Sequence, residues 1–119
     1  MKNQNDFSSV TKPCTLGKPD DKYCRMHEFF SKVPRDVYRS FLRDIENDGI
    51  KKVMNDEELR RTVEVFFHYD LNINEASKKL FVHRNTLIYR LDKIKRITGF
   101  DIKKFCDAFI FHVLMFSNY

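Results

Sequence analysis

From residue 34 to residue 116 the apolar positions recur at spacings of three and four, the period of an amphipathic α-helix. Pro34 suits a first helical position because its φ is preset for the helix. Val37, Tyr38, Phe41, Leu42 and Ile45 then form one stripe, and Asn47-Asp48-Gly49 reads as its stop. Residues 23 to 30, with Met26, Phe29 and Phe30, predict a shorter preceding helix. Further on, Asn55 or Asp56 can cap a helix whose first turn holds Glu57 and Glu58. Its stripe is Leu59, Val63, Phe66 and Phe67. Residues 70 to 73 read as a loop. Asn74 is the expected N-cap of a short helix over residues 75 to 80. A turn holding Phe81 follows, and then a longer helix from Arg84 to Thr98 that Gly99 ends. Many helix-turn-helix motifs put Gly in this turn, and Phe81 departs from that pattern; an aromatic there can pack on the preceding helix, a left-handed backbone then being disfavoured. The last helix is expected over residues 102 to 116, started by Asp101. Its core stripe would be Phe105, Phe109, Val113 and Phe116, and Ala108, Phe111, His112 and Met115 would form a second apolar edge.

The predicted fold is therefore all-α: a small helical bundle with a connector helix, a helix-turn-helix and a C-terminal helix. The expected division is a disordered arm or linker remnant over 1–22, a helical connector over 23–55 and a helix-turn-helix domain over 56–119. The short helix, the small pair Ala76-Ser77 and the turn give residues 74 to 91 helix-turn-helix proportions. Turning by about 100° per residue gathers Leu87, Leu91 and Ile94 on an inner arc, which Thr98 continues and Ile88 and Ile97 flank. Asn85, Thr86, Tyr89, Asp92, Lys93 and Arg96 fall opposite, with Arg90 at the edge.

Charge sharpens this picture. Across residues 78 to 96 seven basic side chains (Lys78, Lys79, Arg84, Arg90, Lys93, Lys95, Arg96) face the single acid Asp92, a net of +6. The first fifty residues carry nine basic and eight acidic side chains. The positive charge thus collects on the helix-turn-helix. A recognition helix reads bases with its first turn while its flanks and the preceding helix hold phosphates. Here that turn offers His83, Arg84, Asn85 and Thr86, with Tyr89 and Lys93 one and two turns on. Arg suits guanine, Asn suits adenine, and a Thr methyl suits thymine. Lys78 and Lys79 suit the phosphate backbone. A basic stripe alone is more often a solvated face; the agreement of cap, small pair, turn and charge favours DNA.

Other chemistries find less support. The four histidines form no spaced pair with a nucleophile and no glycine-rich phosphate loop is present, so the chain reads as no enzyme and calls for no cofactor. Cys24 and His27 have a metal-like spacing with Cys14 as a conceivable third ligand, but no second pair completes a metal site; they read as unpaired groups in a tail. His68 and His112 read as structural. Three cysteines, no apolar run near the ~20 residues of a membrane span and no apolar signal segment point to a reducing cytoplasm.

The run Leu-Phe-Val-His-Arg-Asn-Thr-Leu-Ile-Tyr-Arg-Leu-Asp-Lys-Ile at 80 to 94, with Thr-Gly-Phe-Asp at 98 to 101, resembles the C-terminal helix-turn-helix of PucR/CdaR-type bacterial transcriptional regulators. The likeness runs from about residue 56 to residue 116, and the fold is similar to that of the factor-for-inversion-stimulation group. The resemblance implies an all-helical domain that binds double-stranded DNA, normally as a homodimer, with His83, Arg84, Asn85, Thr86, Tyr89 and Arg90 as the contact group. Residues 23 to 45, with their Val-Pro-Arg-Asp-Val, resemble the connector that precedes this domain in the family. Such regulators carry upstream sensory domains. This chain has no room for one, so any effector is expected to bind a missing upstream domain, and the chain reads as a fragment, a truncated gene product or a small stand-alone member. The alternative is a dimerisation or protein-interaction module that has lost DNA binding, motivated by the second apolar edge at Phe111, His112 and Met115.

Overall fold

A computed structural model describes residues 22–45 and 47–117; the arm expected over 1–22 falls almost wholly outside these residues. Among the described residues seven helices follow one another: α1 Lys22–Ser31, α2 Arg35–Phe41, α3 Asp48–Asn55, α4 Glu57–His68, α5 Ile73–Leu80, α6 Arg84–Thr98 and α7 Phe105–Ser117. No strand occurs among them, as the all-α reading requires. No helix among them is long and apolar enough to cross a membrane.

The segment read as a stop is instead a start. Asn47 caps α3, its side-chain oxygen accepting the backbone N–H of Ile50 at 3.0 Å. Asn and Asp favour caps as readily as turns, because the same short side chain satisfies orphan N–H groups in both settings. Ile50, Val53 and Met54 then bury one face of α3 against α4 and α6. Gly49 is there for space: a Cβ at this position would collide with the carbonyl oxygen of Ile97 at the end of α6. Asn47 completes the clasp, its amide donating to the carbonyl of Thr98 at 3.3 Å.

α4 begins at the Asp56 cap, which accepts the N–H of Leu59. It buries Leu59, Val63, Phe66 and Phe67 as expected, and Thr62 and Val65 besides. Two of the five positions of the stripe expected for α2 and the turn after it face outward: Tyr38 and Leu42 are buried and Ile45 is half-buried, whereas Val37 and Phe41 are exposed. α7 keeps half of its expected stripe: Val113 and Phe116 are buried. Its second edge (Ala108, Phe111, His112, Met115) is buried, covered by rings of α1 and α4: Phe30 and His27 against His112, and Phe67 against both Phe111 and His112. Phe105 and Phe109, expected in the core, are exposed. α7 starts at Phe105, later than expected, because residues 102 and 103 form a turn in which Asp101 accepts the N–H of Lys103. Cys24 and His27 lie buried in α1, not in a tail. No group of three or more metal-ligating side chains that could hold an ion occurs among the described residues.

Candidate nucleic-acid interface

The helix-turn-helix is α5, the turn 81–83 and α6. Asn72, rather than the expected Asn74, caps α5 by accepting the N–H of Glu75 at 3.0 Å. Asn74 thereby gains a different use: its side-chain oxygen accepts from Arg84 Nε at 3.2 Å, tying the start of α5 to the start of α6. Ala76 and Ser77 are buried where the two helices meet. The helix ends in a left-handed residue, with the N–H of Val82 donating to the carbonyl of Ser77 at 3.0 Å, the usual six-to-one closure of a helix C-terminus. That left-handed residue is Phe81, at φ 59 and ψ 41, and it is 91% exposed. It does not pack on the preceding helix. The backbone closure requires positive φ here whatever the side chain, so Phe81 takes a conformation that glycine holds without strain.

His83 caps α6. Its Nδ1 accepts the backbone N–H of Asn85 at 3.0 Å, which leaves Nε2 as the ring's outward donor. Leu87, Leu91, Ile94 and Thr98 are buried beneath the helix as the angular reading placed them. Gly99, at φ 84, closes it, and the Thr98 hydroxyl donates to the carbonyl of Ile94 while accepting the N–H of Phe100. A rigid helix therefore stands on four buried anchors, held at its far end by Asn47 and Gly49.

Its outer side is open. Arg84, Asn85, Thr86 and Tyr89 are exposed, as are Lys78 and Lys79 in the last turn of α5; Lys93 is half-buried. Tyr89 is covered in part by Arg96, whose guanidinium carbon lies 5.8 Å from the ring centre. Lys78 faces Glu75 at 3.9 Å, an exposed pair of small energetic weight. Asp92, the single acid of the basic run, is drawn toward Lys103 at 3.9 Å, which removes some of its opposition to the surrounding positive field.

Arg90 differs from the others. Its side chain is 17% exposed, and its two terminal nitrogens reach Glu58 at 2.9 Å and the Thr62 hydroxyl at 3.3 Å on α4. The edge position read from the sequence is real, and the edge faces α4. Helical spacing holds no sign of these two partners, which lie 32 and 28 residues away along the chain.

A model of the PucR C-terminal helix-turn-helix domain matches residues 59–115. The carbohydrate diacid regulator of Escherichia coli (strain K12) is 39% identical over 74 residues, which are 62% of this chain and 17% of that protein. The purine catabolism regulatory protein of Bacillus subtilis (strain 168) is 32% identical over 76 residues, 64% of this chain and 14% of that protein. The proline-responsive transcriptional activator PutR of the same organism is 33% identical over 61 residues, 49% of this chain and 15% of that protein. The chain thus spans less than one fifth of the length of these relatives. No solved structure matches it significantly.

Proposed function

Residues 59–115 belong to the PucR C-terminal helix-turn-helix family, and from that premise we propose that this chain binds double-stranded DNA sequence-specifically, as the output domain of a transcriptional regulator. The observation that carries the proposal is the division of α6. Its inner face is locked by Leu87, Leu91 and Ile94, while its first outward turn keeps polar side chains free to meet base edges.

Roles follow from what each side chain is already doing. Asn85 and Thr86 read bases from the exposed first turn. Arg84 spends Nε on Asn74 and keeps two terminal nitrogens for a guanine edge, with its approach fixed by that bond. His83 caps the helix and offers Nε2 to base or phosphate. Tyr89 and Lys93 serve sugar and phosphate one and two turns on, and Lys78 and Lys79 grip the backbone from α5. Arg90 belongs to the group as a positioning residue that sets the angle between α6 and α4. A homodimer is part of the proposal. The edge that first suggested a partner is buried, but the rings of Phe41 and Phe105, at 6.4 and 6.3 Å from that of Phe109, form an exposed apolar face in its place. The effector of a sensory domain, where such a domain accompanies this one, binds outside the helix-turn-helix.

Selection of bound sequences from random duplexes tests the proposal. A recovered consensus with palindromic half-sites is expected. Gel shifts on that consensus should then show Arg84→Ala and Asn85→Ala losing specific affinity by about tenfold or more each, with non-specific affinity little changed. Lys93→Ala should weaken both. Recovery of no consensus, together with affinity that ignores salt, would defeat the reading.

A further inference from the structure

A second basic feature lies away from α6, on the element that packs against α7. Arg35 and Arg39 of α2 and Arg43 of the turn after it stand one helical turn apart and line a cleft of about 340 Å³. Tyr38, Leu42, Asp44 and Ser117 complete its lining. The floor is stiff: the Tyr38 hydroxyl donates to the carbonyl of Phe30, and its ring stacks on Phe116 at an interplanar angle of 4°. Arg35 donates to the carbonyl of Ser117 at 3.3 Å, at the negative end of α7. That contact accounts for one cation. Arg39 and Arg43 pair with no carboxylate among the described residues, although Asp44 borders the same cleft. Like charges one helical turn apart on a helix repel, as Arg35 and Arg39 do, and Asp44 is the single carboxylate among the described residues that line the cleft, so an added anion would relieve the excess positive charge there. Guanidinium forks match the geometry of phosphate oxygens, and several together suit a multiply charged oxyanion better than a single carboxylate.

We propose that the cleft lined by Arg35, Arg39 and Arg43 binds a phosphate group, carried either by a free phosphorylated small molecule or by a nucleic-acid backbone. The site shares no residue with the helix-turn-helix, and it does not depend on the reading of α6.

The test uses the whole chain, inorganic phosphate and pyrophosphate as probes, and chloride to hold ionic strength constant. Arginine side-chain Nε–H signals are followed by NMR. Saturable shifts at Arg39 and Arg43 are expected with pyrophosphate, stronger than with phosphate. The variant Arg39→Gln/Arg43→Gln should weaken binding by about tenfold. Arg39→Lys/Arg43→Lys should lose most of that affinity while keeping the charge. Lys51→Gln/Lys52→Gln, an equal loss of charge on exposed positions of α3, should bind as wild type does. In a second arm a random duplex is titrated across a salt series. A backbone source lowers the salt slope of the Arg39→Gln/Arg43→Gln variant by about 0.9 per lost phosphate contact, beyond any change in the Lys51/Lys52 control. A free source leaves that slope equal to the control's. The proposal is overturned by absence of saturable shifts together with duplex binding no weaker than the control's. It is equally overturned by probe binding that the Lys51/Lys52 control reduces as much as the arginine variant does. A chain that takes pyrophosphate and no DNA keeps this site and loses the function proposed for α6.

Discussion

Phe81 shows how far a single residue can depart from what the backbone around it prefers. The closure of α5 puts it in the left-handed region, which costs a side-chain-bearing residue about 1–2 kcal/mol, and its ring gains almost no burial in return. Replacing it with glycine removes the strain and forfeits little packing. Part of the gain is lost to the greater freedom of glycine in the unfolded chain. Phe81→Gly is therefore expected to raise stability by about 1 kcal/mol, seen as a Tm higher by about 4 °C in a domain of this size. Gly49 is the opposite case. Its Cα hydrogen faces the carbonyl of Ile97, and neither partner is a flexible side chain that can swing aside. Gly49→Ala should cost about 1–3 kcal/mol by urea denaturation, despite the better intrinsic helix propensity of alanine. It should also disturb the end of α6, so DNA affinity should fall with stability.

At the scale of elements, the bond set of Arg90 decides how α6 sits. Arg90→Ala removes a charged bond to Glu58 and a bond to the fully buried Thr62. The expected cost is about 1–2 kcal/mol, larger than that of Glu58→Gln, in which an amide oxygen can still accept from Arg90 and the bond to Thr62 is kept. A double-mutant cycle between the two should return a coupling below the full cost of Arg90→Ala, because Thr62 also contributes. These elements differed in how openly the sequence declared them. α6 was legible almost residue by residue, since its inner arc and its closing glycine pointed one way. α4 was legible from its stripe and its acidic first turn. α3 was hidden because Asn47-Asp48-Gly49 fits a stop as well as a start. The spacing of Ile50, Val53 and Met54 held the signal for a helix. The inward turn of Arg90 and the covered edge of α7 were beyond periodicity, which names a face without saying which helix meets it. In α7 nearly every position is apolar, so the stripe that ends up buried depends on where α1 and α4 lie.

Across the whole molecule, α1, α4 and α7 join through histidines in an otherwise aromatic contact. The His27 ring lies 4.9 Å from His112 and 4.6 Å from Tyr23, and Tyr23 lies 4.9 Å from His68. Phe30, Phe67 and Phe116 enclose His112. Both ring nitrogens of His27 and of His112 are buried without a hydrogen-bond partner among the described residues. Burial holds the His27 pKa down to about 3, helped by the neighbouring His112 and His68, and holds His112 down to about 4 through burial alone. The folded chain therefore keeps both rings neutral where the unfolded chain, with pKa near 6.5, takes up protons. Stability is fully present above about pH 6.5 and falls as pH drops toward the folded values. Each ring contributes a slope approaching about 1.4 kcal/mol per pH unit, about 2.7 for the pair. By pH 5 the loss reaches about 4 kcal/mol, a large share of what a small domain possesses. Urea denaturation at pH 7.5, 6 and 5 should show this decline. His112→Phe should flatten the dependence by about half while adding an apolar ring to an aromatic surround. An unchanged slope in that variant would assign the acid sensitivity to other groups. The rupture should start where α1 meets α7, since that is where both unpartnered rings face each other, and amide exchange in α1 should accelerate at pH 5 before exchange in α6 does.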